Sequence, residues 1–368
     1  MTSRTVAPVR SSAFRRSSVR GQDRLKAELR TRIALACALV ISMAACARAD
    51  WPTYHGSFSL DGYADVALPE KLAQAWKFEA GARIPSTPVV GEGRIYFADG
   101  KGVVHALDFS GKEIWSKALT FPDPKGVAKP MTFDAPLVFY ASTIIAGSAE
   151  GLVFALEAKN GDVKWTLNTD LPILGTPTIT EINVDGKKVP RLYVIDESNG
   201  VLQCIDFATG KMVWTTDGLA RCDGSPASNA EVIVFGSCAS AMHIFSTTEP
   251  KKLREVALDQ DSQIAGGIVL LGNDMYSGCR SGQFIHADAR DAKVLWMNKD
   301  CTGEAMSTPA VGPERIVFGA NDSTFYCLKR ADGALLWKTK LDDTPSSPVI
   351  ARDKVVLTAN GKLHILAL

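Results

Sequence analysis

The sequence has almost no excess of charge of either sign. It contains 41 Lys and Arg residues against 40 Asp and Glu residues among 368, which gives a net charge of +1. Proteins that hold nucleic acid through phosphate contacts need a clear basic excess. Disordered chains need low hydrophobicity or a high net charge, whereas 46% of these residues are hydrophobic. The composition therefore predicts a folded protein that has no nucleic-acid partner.

Motifs of catalysis and metal binding are also missing. The sequence contains no His-Glu-x-x-His, no Gly-x-Ser-x-Gly and no phosphate-binding glycine loop. It has no Cys-x-x-Cys pair, and its five His residues show no metal-ligand spacing. After residue 49, no run approaches the length of about 18 apolar residues that marks a membrane helix. We therefore predict no metal and no catalytic residue, and membrane contact only through a lipid anchor.

The first 49 residues have the pattern of an export signal. Residues 1–32 carry nine Arg or Lys residues and only two acids, and Ile33–Ala47 is a stretch of 15 residues without a charge. A basic region, a short apolar core and a small-x-small motif at 47–49 are typical of a cleaved secretory signal. An alternative is that Cys46, which follows Met-Ala-Ala, is the acylated cysteine of a lipoprotein. Both predict a location in the periplasm or cell envelope of a bacterium.

Tryptophan recurs at one position of a repeated unit. Six of the seven Trp residues belong to this series: Trp76, Trp115, Trp165, Trp214, Trp296 and Trp337. Their spacings are 39, 50, 49, 82 and 41 residues, so one unit lacks its Trp, near Val256. Before each Trp lies an alternating strand, a turn that contains Gly and a second strand, which is typical of a β-hairpin. Four short strands in about 40 residues are the pattern of one propeller blade.

Seven such units fit into the chain. Their inner strands open at Pro88, Pro136, Pro177, Pro226, Gly267, Pro309 and Pro348. The last unit has room for only three strands, and Gln74–Phe78 is a Trp strand with no unit before it. We predict that this N-terminal strand pairs with the C-terminal strand, completes the seventh blade and closes the ring, which removes a long exposed edge.

The predicted organisation has three parts. Residues 1–49 are the signal with its extended basic region. Residues 50–69 are a lead-in segment that straps the N-terminus to the ring. Residues 70–368 are a single all-β domain, a seven-bladed β-propeller of four-stranded antiparallel blades.

The unit Ala-Leu-Asp-x-x-x-Gly-x-x-x-Trp resembles the repeat of pyrroloquinoline-quinone-type (PQQ-like) propellers over nearly all of residues 70–368. That family contains quinoprotein dehydrogenases and the BamB-type lipoproteins of outer-membrane assembly. The resemblance implies that each Trp docks its blade onto a neighbour, with an aromatic ligand cage as the alternative. It indicates the fold well and the function poorly, because one fold serves many functions.

The loops that lead into the inner strands should line one mouth of the central channel. The polar residues expected there are Arg83, Asp134, Arg221, Asp223, Glu304 and Asp343. One interpretation is a solvated rim of weak ion pairs. The other is a polar funnel that binds a small ligand or a protein, since loops on rigid scaffolds often carry binding sites.

Four cysteines are expected near this same mouth. Cys222 and Cys238 flank a hairpin and should lie opposite each other, and Cys279 and Cys301 form a second candidate pair. Disulfides persist in the cell envelope, so both pairs are candidate disulfides. The alternative, a metal site of four thiolates, lacks the usual ligand spacing.

The sequence predicts a non-enzymatic binding or scaffold protein of the cell envelope. The alternatives are a BamB-like lipoprotein of outer-membrane protein assembly and a PQQ-dependent dehydrogenase. The resemblance implies that such dehydrogenases bury the quinone beside a disulfide of adjacent cysteines and are larger, whereas no two Cys residues are adjacent here. By the same resemblance, the dehydrogenases and the BamB-type lipoproteins typically have eight blades, whereas this sequence predicts seven. No cofactor is predicted, although PQQ with calcium could use the acids of the mouth.

Overall fold

The computed structural model describes residues 50–123 and 125–368, which form seven four-stranded sheets and one two-stranded hairpin. These two ranges contain no helix, and hence none that is long and apolar enough to cross a membrane. The sheets follow one another as blades 1 to 7, so the predicted all-β, seven-bladed propeller is confirmed. The predicted signal at 1–49, including Cys46, lies outside the described residues.

The strands are numbered in chain order. An N-terminal strand, β1, is Tyr63–Ala64. Blade 1 consists of β2 (Val89–Gly91), β3 (Arg94–Ala98), β4 (Val103–Asp108) and β5 (Glu113–Ala118). The extra hairpin is β6 (Thr120–Pro122) and β7 (Ala128–Pro130), and blade 2 is β8 (Val138–Tyr140), β9 (Thr143–Gly147), β10 (Leu152–Glu157) and β11 (Val163–Asn168). Blade 3 is β12 (Thr178–Val184), β13 (Lys187–Ile195), β14 (Leu202–Asp206) and β15 (Met212–Thr215).

Blades 4 to 7 continue the same order. Blade 4 is β16 (Ala227–Ser228), β17 (Val232–Ser237), β18 (Ala241–Ser246) and β19 (Lys252–Ala257). Blade 5 is β20 (Val269–Leu271), β21 (Asp274–Gly278), β22 (Phe284–Asp288) and β23 (Lys293–Asn298). Blade 6 is β24 (Ala310–Val311), β25 (Arg315–Gly319), β26 (Thr324–Lys329) and β27 (Leu335–Lys340). Blade 7 adds β1 to β28 (Val349–Ala351), β29 (Lys354–Ala359) and β30 (Lys362–Ala367).

An N-terminal strand does complete blade 7, but it is not the strand that the sequence predicted. β1 pairs in parallel with the inner strand β28, with Tyr63 opposite Ile350. Residues 65–88 form no strand, so the predicted pairing of residues 74–78 with β30 is wrong. Side chains hold this segment instead, because the Trp76 indole N–H donates to the Phe109 carbonyl at 2.9 Å and Phe78 packs on Phe97.

Most buried apolar side chains lie between neighbouring blades. Between blades 1 and 2, for example, Tyr96 and Ala106 meet Phe133 and Ile144. Equivalent clusters lie at the five following junctions as far as blade 7. On β30, which ends blade 7, Leu363 is 59% exposed. Outward-facing apolar side chains on the fourth strands of other blades are exposed to a similar extent, for example Leu295 at 52%.

Residues 51–64 form a plug across one end of the channel. Backbone N–H groups of the inner strands of six blades donate to its carbonyls at 2.7 to 2.9 Å. The bonds are Val90 to Trp51, Phe139 to Pro52, Ser228 to Phe58, Leu270 to Ser59, Val311 to Asp61 and Ile350 to Gly62. Each bond satisfies a polar group that would otherwise be left unpaired at the inner edge of a sheet. The plug thus ties the blades together.

His55 lies buried inside this plug. It adopts a left-handed φ of 58°, and its Nδ1 atom lies 3.3 Å from the Leu60 carbonyl oxygen. Its Nε2 atom is buried without a partner. Burial lowers the pKa of His55 to about 4, because the charged form loses its hydration. The folded protein therefore holds this imidazole neutral.

The buried His55 predicts a loss of stability in mild acid. Between pH about 6.5 and about 4, the unfolded chain binds a proton that the folded chain excludes, so the free energy of unfolding should fall as the pH decreases. The full effect is about 3 kcal/mol, at about 1.4 kcal/mol per pKa unit. Urea unfolding at both ends of this range should show a smaller pH effect in His55→Asn, since Asn tolerates the left-handed backbone. An equal pH effect in the variant would contradict the prediction.

Candidate functional site

The channel mouth opposite the plug is built from two kinds of loop. One is the approach segment that precedes each inner strand, and the other is the turn between the second and third strands of the same blade. Backbone bonds of 2.8 to 3.2 Å join them in blades 1 to 6. The donor and acceptor pairs are Gly100 and Arg83, Ala149 and Thr132, Glu197 and Pro172, Cys238 and Arg221, Arg280 and Gln263, and Asn321 and Glu304. The repeat thus fixes the position of each mouth residue.

Five charged side chains form a continuous network across the mouth of blades 3 to 6. Arg221 donates from Nη2 to Glu197 at 2.6 Å and from Nε to Asp223 at 2.6 Å. Arg280 reaches Asp223 at 3.6 Å and Glu304 at 3.9 Å. We call Glu197, Arg221, Asp223, Arg280 and Glu304 the mouth network.

The mouth network leaves one arginine open to solvent. The side chain of Arg221 is 58% exposed, whereas those of Glu197 and Asp223 are 18% and 20% exposed. The hydrogen bond that Arg221 donates to Asp223 and the negative charges of Asp223 and Glu197 raise the pKa of Arg221, which stays protonated. Because two well-packed carboxylates hold the guanidinium, it is pre-oriented on the surface, a state that lowers the entropy cost of binding a partner.

The structure brings together most of the predicted mouth residues. Arg221, Asp223 and Glu304 meet in the mouth network, and Arg83 lies 3.8 Å from Asp134 at blades 1 and 2. Asp343 lies apart from both groups and accepts a hydrogen bond from the Thr344 N–H.

Sequence reasoning missed Glu197 and Arg280. Both lie in turns between the second and third strands of a blade, whereas the predicted mouth residues all come from the approach segments. Aligning those turns as well would have found them, because both occupy the donor position of the backbone pairs described above.

Apolar side chains accompany these charges. Ile84, next to Arg83, is 43% exposed, and Met306, two residues after Glu304, is 37% exposed. Exposed apolar residues beside arginine are typical of protein interfaces.

The Trp residues contact the next blade at a constant position. The indole N–H groups of Trp115 and Trp165 donate to the carbonyls of Ala158 and Phe207 at 3.0 Å, as Trp76 does to Phe109. In the unit without Trp, Arg254 stands opposite Ile244 and donates to Ala289 at 3.2 Å. The position that lacks a Trp is therefore residue 254, two residues before the predicted Val256.

The other three Trp residues pack mainly through their rings. Trp214 lies against Tyr193, Trp337 against Phe325 and Trp296 against Phe284, with ring centroids 5.9 to 6.1 Å apart. The Trp296 N–H is buried without a hydrogen-bond partner. That the series stabilises the ring stays a prediction.

The four cysteines near the mouth are free thiols in this structure. Burial, with a smaller contribution from the charge of Cys238, raises the pKa of Cys222 to about 12. Burial also raises the pKa of Cys301, with a smaller contribution from Cys279. The members of each pair therefore lie near enough to influence each other. Disulfide formation stays a prediction.

The acids of the mouth do not fit a calcium and quinone site as they are arranged. Asp223 and Glu304 both lie within 4 Å of Arg280, so their oxygens face a cation instead of an open cavity. Among the described residues, no three His, Cys, Asp or Glu side chains are grouped to hold a metal ion. We derive no chemistry through PQQ at this mouth.

The fold and its repeat define a PQQ-like β-propeller. The sequence model of the family described as "Outer membrane protein assembly factor BamB" matches residues 66–189, 127–262 and 198–368, which together extend over all seven blades except the short strand β1. The chain belongs to this family.

Individual relatives agree with the family match. The chain is 24% identical over 302 residues to outer membrane protein assembly factor BamB of Shewanella oneidensis, covering 76% of this chain and 73% of the relative. It is 23% identical to the protein of the same name from Escherichia coli, covering 77% and 86%. A shorter match, 27% identical, joins 41% of this chain to 24% of a 1-butanol dehydrogenase (cytochrome c) of Thauera butanivorans.

Solved structures support the fold. BamB from Moraxella catarrhalis aligns with a TM-score of 0.62 at 16% identity, covering 80% of this chain and 88% of that one. A quinohemoprotein alcohol dehydrogenase from Pseudomonas putida aligns with a TM-score of 0.65 at 12% identity, covering 87% and 71%. At these identities the likeness concerns the propeller alone.

Proposed function

We propose that this chain is an exported propeller scaffold that binds a protein partner in outer-membrane protein assembly. The observation that carries the proposal is the family match, which extends from residue 66 to residue 368. The relatives named as assembly factors are matched over most of their own length, so the likeness is not limited to a single blade. The predicted export signal or lipid anchor at 1–49 supports a place in the cell envelope.

We infer that the partner docks on the channel mouth. The plug occupies the opposite end of the channel, where its carbonyls are already bonded to six blades. At the mouth, Arg221 is exposed and pre-oriented, and Ile84 and Met306 add apolar surface. Arginine and exposed apolar residues carry much of the energy of protein interfaces. The mixed charges of the mouth network favour a partner surface that carries both signs.

The test is a chromosomal substitution in the organism that encodes this chain. Deleting the gene should lower the amounts of outer-membrane proteins, measured by quantitative mass spectrometry of isolated outer membranes. Arg221→Glu should reproduce much of this loss, because removing a central arginine costs about 2 kcal/mol of binding energy and the new carboxylate repels Glu197 and Asp223. The abundance of the variant protein is measured in the same samples.

The matched control is Arg290→Glu. Arg290 is also an exposed arginine beside two acids, Asp288 and Asp291, but it lies in a turn at the end of blade 5 that is away from the mouth. This variant should leave the outer-membrane proteins unchanged. A deletion without effect would overturn the assembly function, and equal effects of the two variants would overturn the mouth as the docking surface.

The alternative of a quinone-dependent dehydrogenase rests on the partial match to the 1-butanol dehydrogenase. Purification of the protein with bound quinone, or turnover of an alcohol with added PQQ and calcium, would favour it over the scaffold.

A further inference from the structure

The junction between blades 5 and 6 breaks the repeat at a buried position. In six blades the pairing of the third and fourth strands shifts at one bulge, and the residue before it faces the Trp position. That residue is Ala106, Ala155, Cys204 or Cys327 where it faces a Trp in blades 1, 2, 3 and 6. In blade 5 it is His286, opposite Trp296. A small apolar residue is thus replaced by a polar ring.

The His286 side chain is held firmly in one orientation. Its ring stacks on Tyr276 with centroids 4.3 Å apart and an angle of 8° between the planes. Its Nε2 atom lies 2.8 Å from the Asp274 carboxylate. The residue is only 8% exposed, and neither its Nδ1 atom nor the neighbouring Trp296 N–H has a partner. Buried polar atoms without partners are rare, and such atoms call for an explanation.

A pocket lies beside His286, at a position where blades 1 and 5 carry side chains of opposite charge. In blade 1, the first residue of the second strand is Arg94, whose Nη1 donates to the Ala158 carbonyl of blade 2 at 2.8 Å and so bridges that junction. In blade 5 the same position holds the shorter Asp274. The space between blades 5 and 6 is a pocket of about 550 Å³.

The inner wall of this pocket carries two arginines from blade 6. Arg330 lies over the Tyr276 ring at 5.5 Å and donates from Nε to its hydroxyl at 3.1 Å, so it is fixed in place. Arg315 is half-buried, and the structure gives it no ion-pair partner among the described residues. A half-buried guanidinium without a carboxylate has lost hydration that an anion could replace.

The remaining charges of the wall do not cancel these arginines. Asp274 is bound by His286 and lies 4.0 Å from Arg330. Glu314 and Lys329 are both exposed at the rim, where solvent screens their charges, and Lys329 is paired with Asp332 at 2.8 Å. The interior of the pocket therefore has an excess of positive charge beside the apolar side chain of Leu336.

We propose that this pocket binds a small ligand that carries an oxyanion, either a carboxylate or a phosphate. Arg315 binds the anion, because a guanidinium holds both groups with two parallel hydrogen bonds. Arg330 and His286 form the fixed polar wall around it. The pocket is formed by the turns at the end of the blades that is away from the mouth, so it is separate from the mouth network and independent of the proposed function.

The test is a titration of the complete processed protein, followed by NMR of labelled His and Tyr side chains. Inorganic phosphate and acetate are the two probes, and they distinguish the two sources of the oxyanion. At least one should shift the His286 and Tyr276 signals with saturation. Arg315→Gln should weaken that binding at least about tenfold, which corresponds to about 1.4 kcal/mol. Asp274→Arg, which introduces the residue that blade 1 has at this position, should fill the pocket and abolish the binding.

The matched control is Arg94→Gln, which removes the arginine at the equivalent strand position at the junction of blades 1 and 2. It should leave the binding unchanged, and thermal unfolding should show that all variants are folded. If neither probe gives a saturable shift, or if Arg315→Gln binds as tightly as the unaltered protein, the proposal is wrong. If Arg94→Gln weakens binding as much as Arg315→Gln does, the effect is general electrostatics and the pocket is not the site.

Discussion

Gly210→Ala is expected to lower the free energy of unfolding by about 3 kcal/mol. Gly210 has a left-handed φ of 70°, and a Cβ atom there would lie 2.5 Å from Cδ2 of the Trp165 ring. That ring belongs to the preceding blade and donates its N–H to Phe207 at 3.0 Å, so the added methyl group would push two blades apart. Urea unfolding, followed by circular dichroism, measures the effect.

Gly272→Ala is the matched control for this effect. Gly272 also has a left-handed φ, of 64°, but nothing lies within 4 Å of the Cβ atom it would acquire. The backbone strain alone costs about 1 kcal/mol. The difference of about 2 kcal/mol between the variants is therefore the part that belongs to Trp docking. Equal losses in the two variants would show that the Trp contact adds nothing to stability.

Leu60→Ala is expected to lower the free energy of unfolding by about 3 kcal/mol, the usual cost of emptying a buried leucine site. Leu60 is 2% exposed and is the plug residue that enters the core between blades 4 and 5. Its Cδ1 atom lies close to Gly267, the position ahead of the inner strand where the six other blades have proline and a larger residue would not fit. Removing the side chain should also loosen the plug, which limited proteolysis within residues 51–64 would detect.

Leu72→Ala is the control for the plug variant. Leu72 is 48% exposed and lies in the stretch that forms no strand, so its replacement should change stability by less than about 0.5 kcal/mol. A loss as small as this in Leu60→Ala would mean that the plug only covers the channel and does not hold the blades together.

The sequence by itself determined the repeat. The Trp spacing, the Gly-containing turns and the alternating strands predicted seven blades, because a hairpin is specified by neighbouring residues and its pattern survives without tertiary contacts. The same register placed Arg221, Asp223 and Glu304 at one mouth, since each blade presents equivalent residues at equivalent ends. The position of the missing Trp was correct to within two residues for the same reason.

Only the tertiary structure decided how the ring is closed and where distant groups meet. Residues 74–78 have a strand pattern but form no strand. Tyr63 and Ala64 complete blade 7 at its inner edge instead, because the plug brings their backbone to β28. The plug acts through backbone carbonyls, which leave no trace in side-chain patterns. Arg280 joins Asp223 to Glu304, and Arg315 and His286 line one pocket, only across the junction of two packed blades. Such contacts depend on the distance between sheets, which no local spacing of residues specifies.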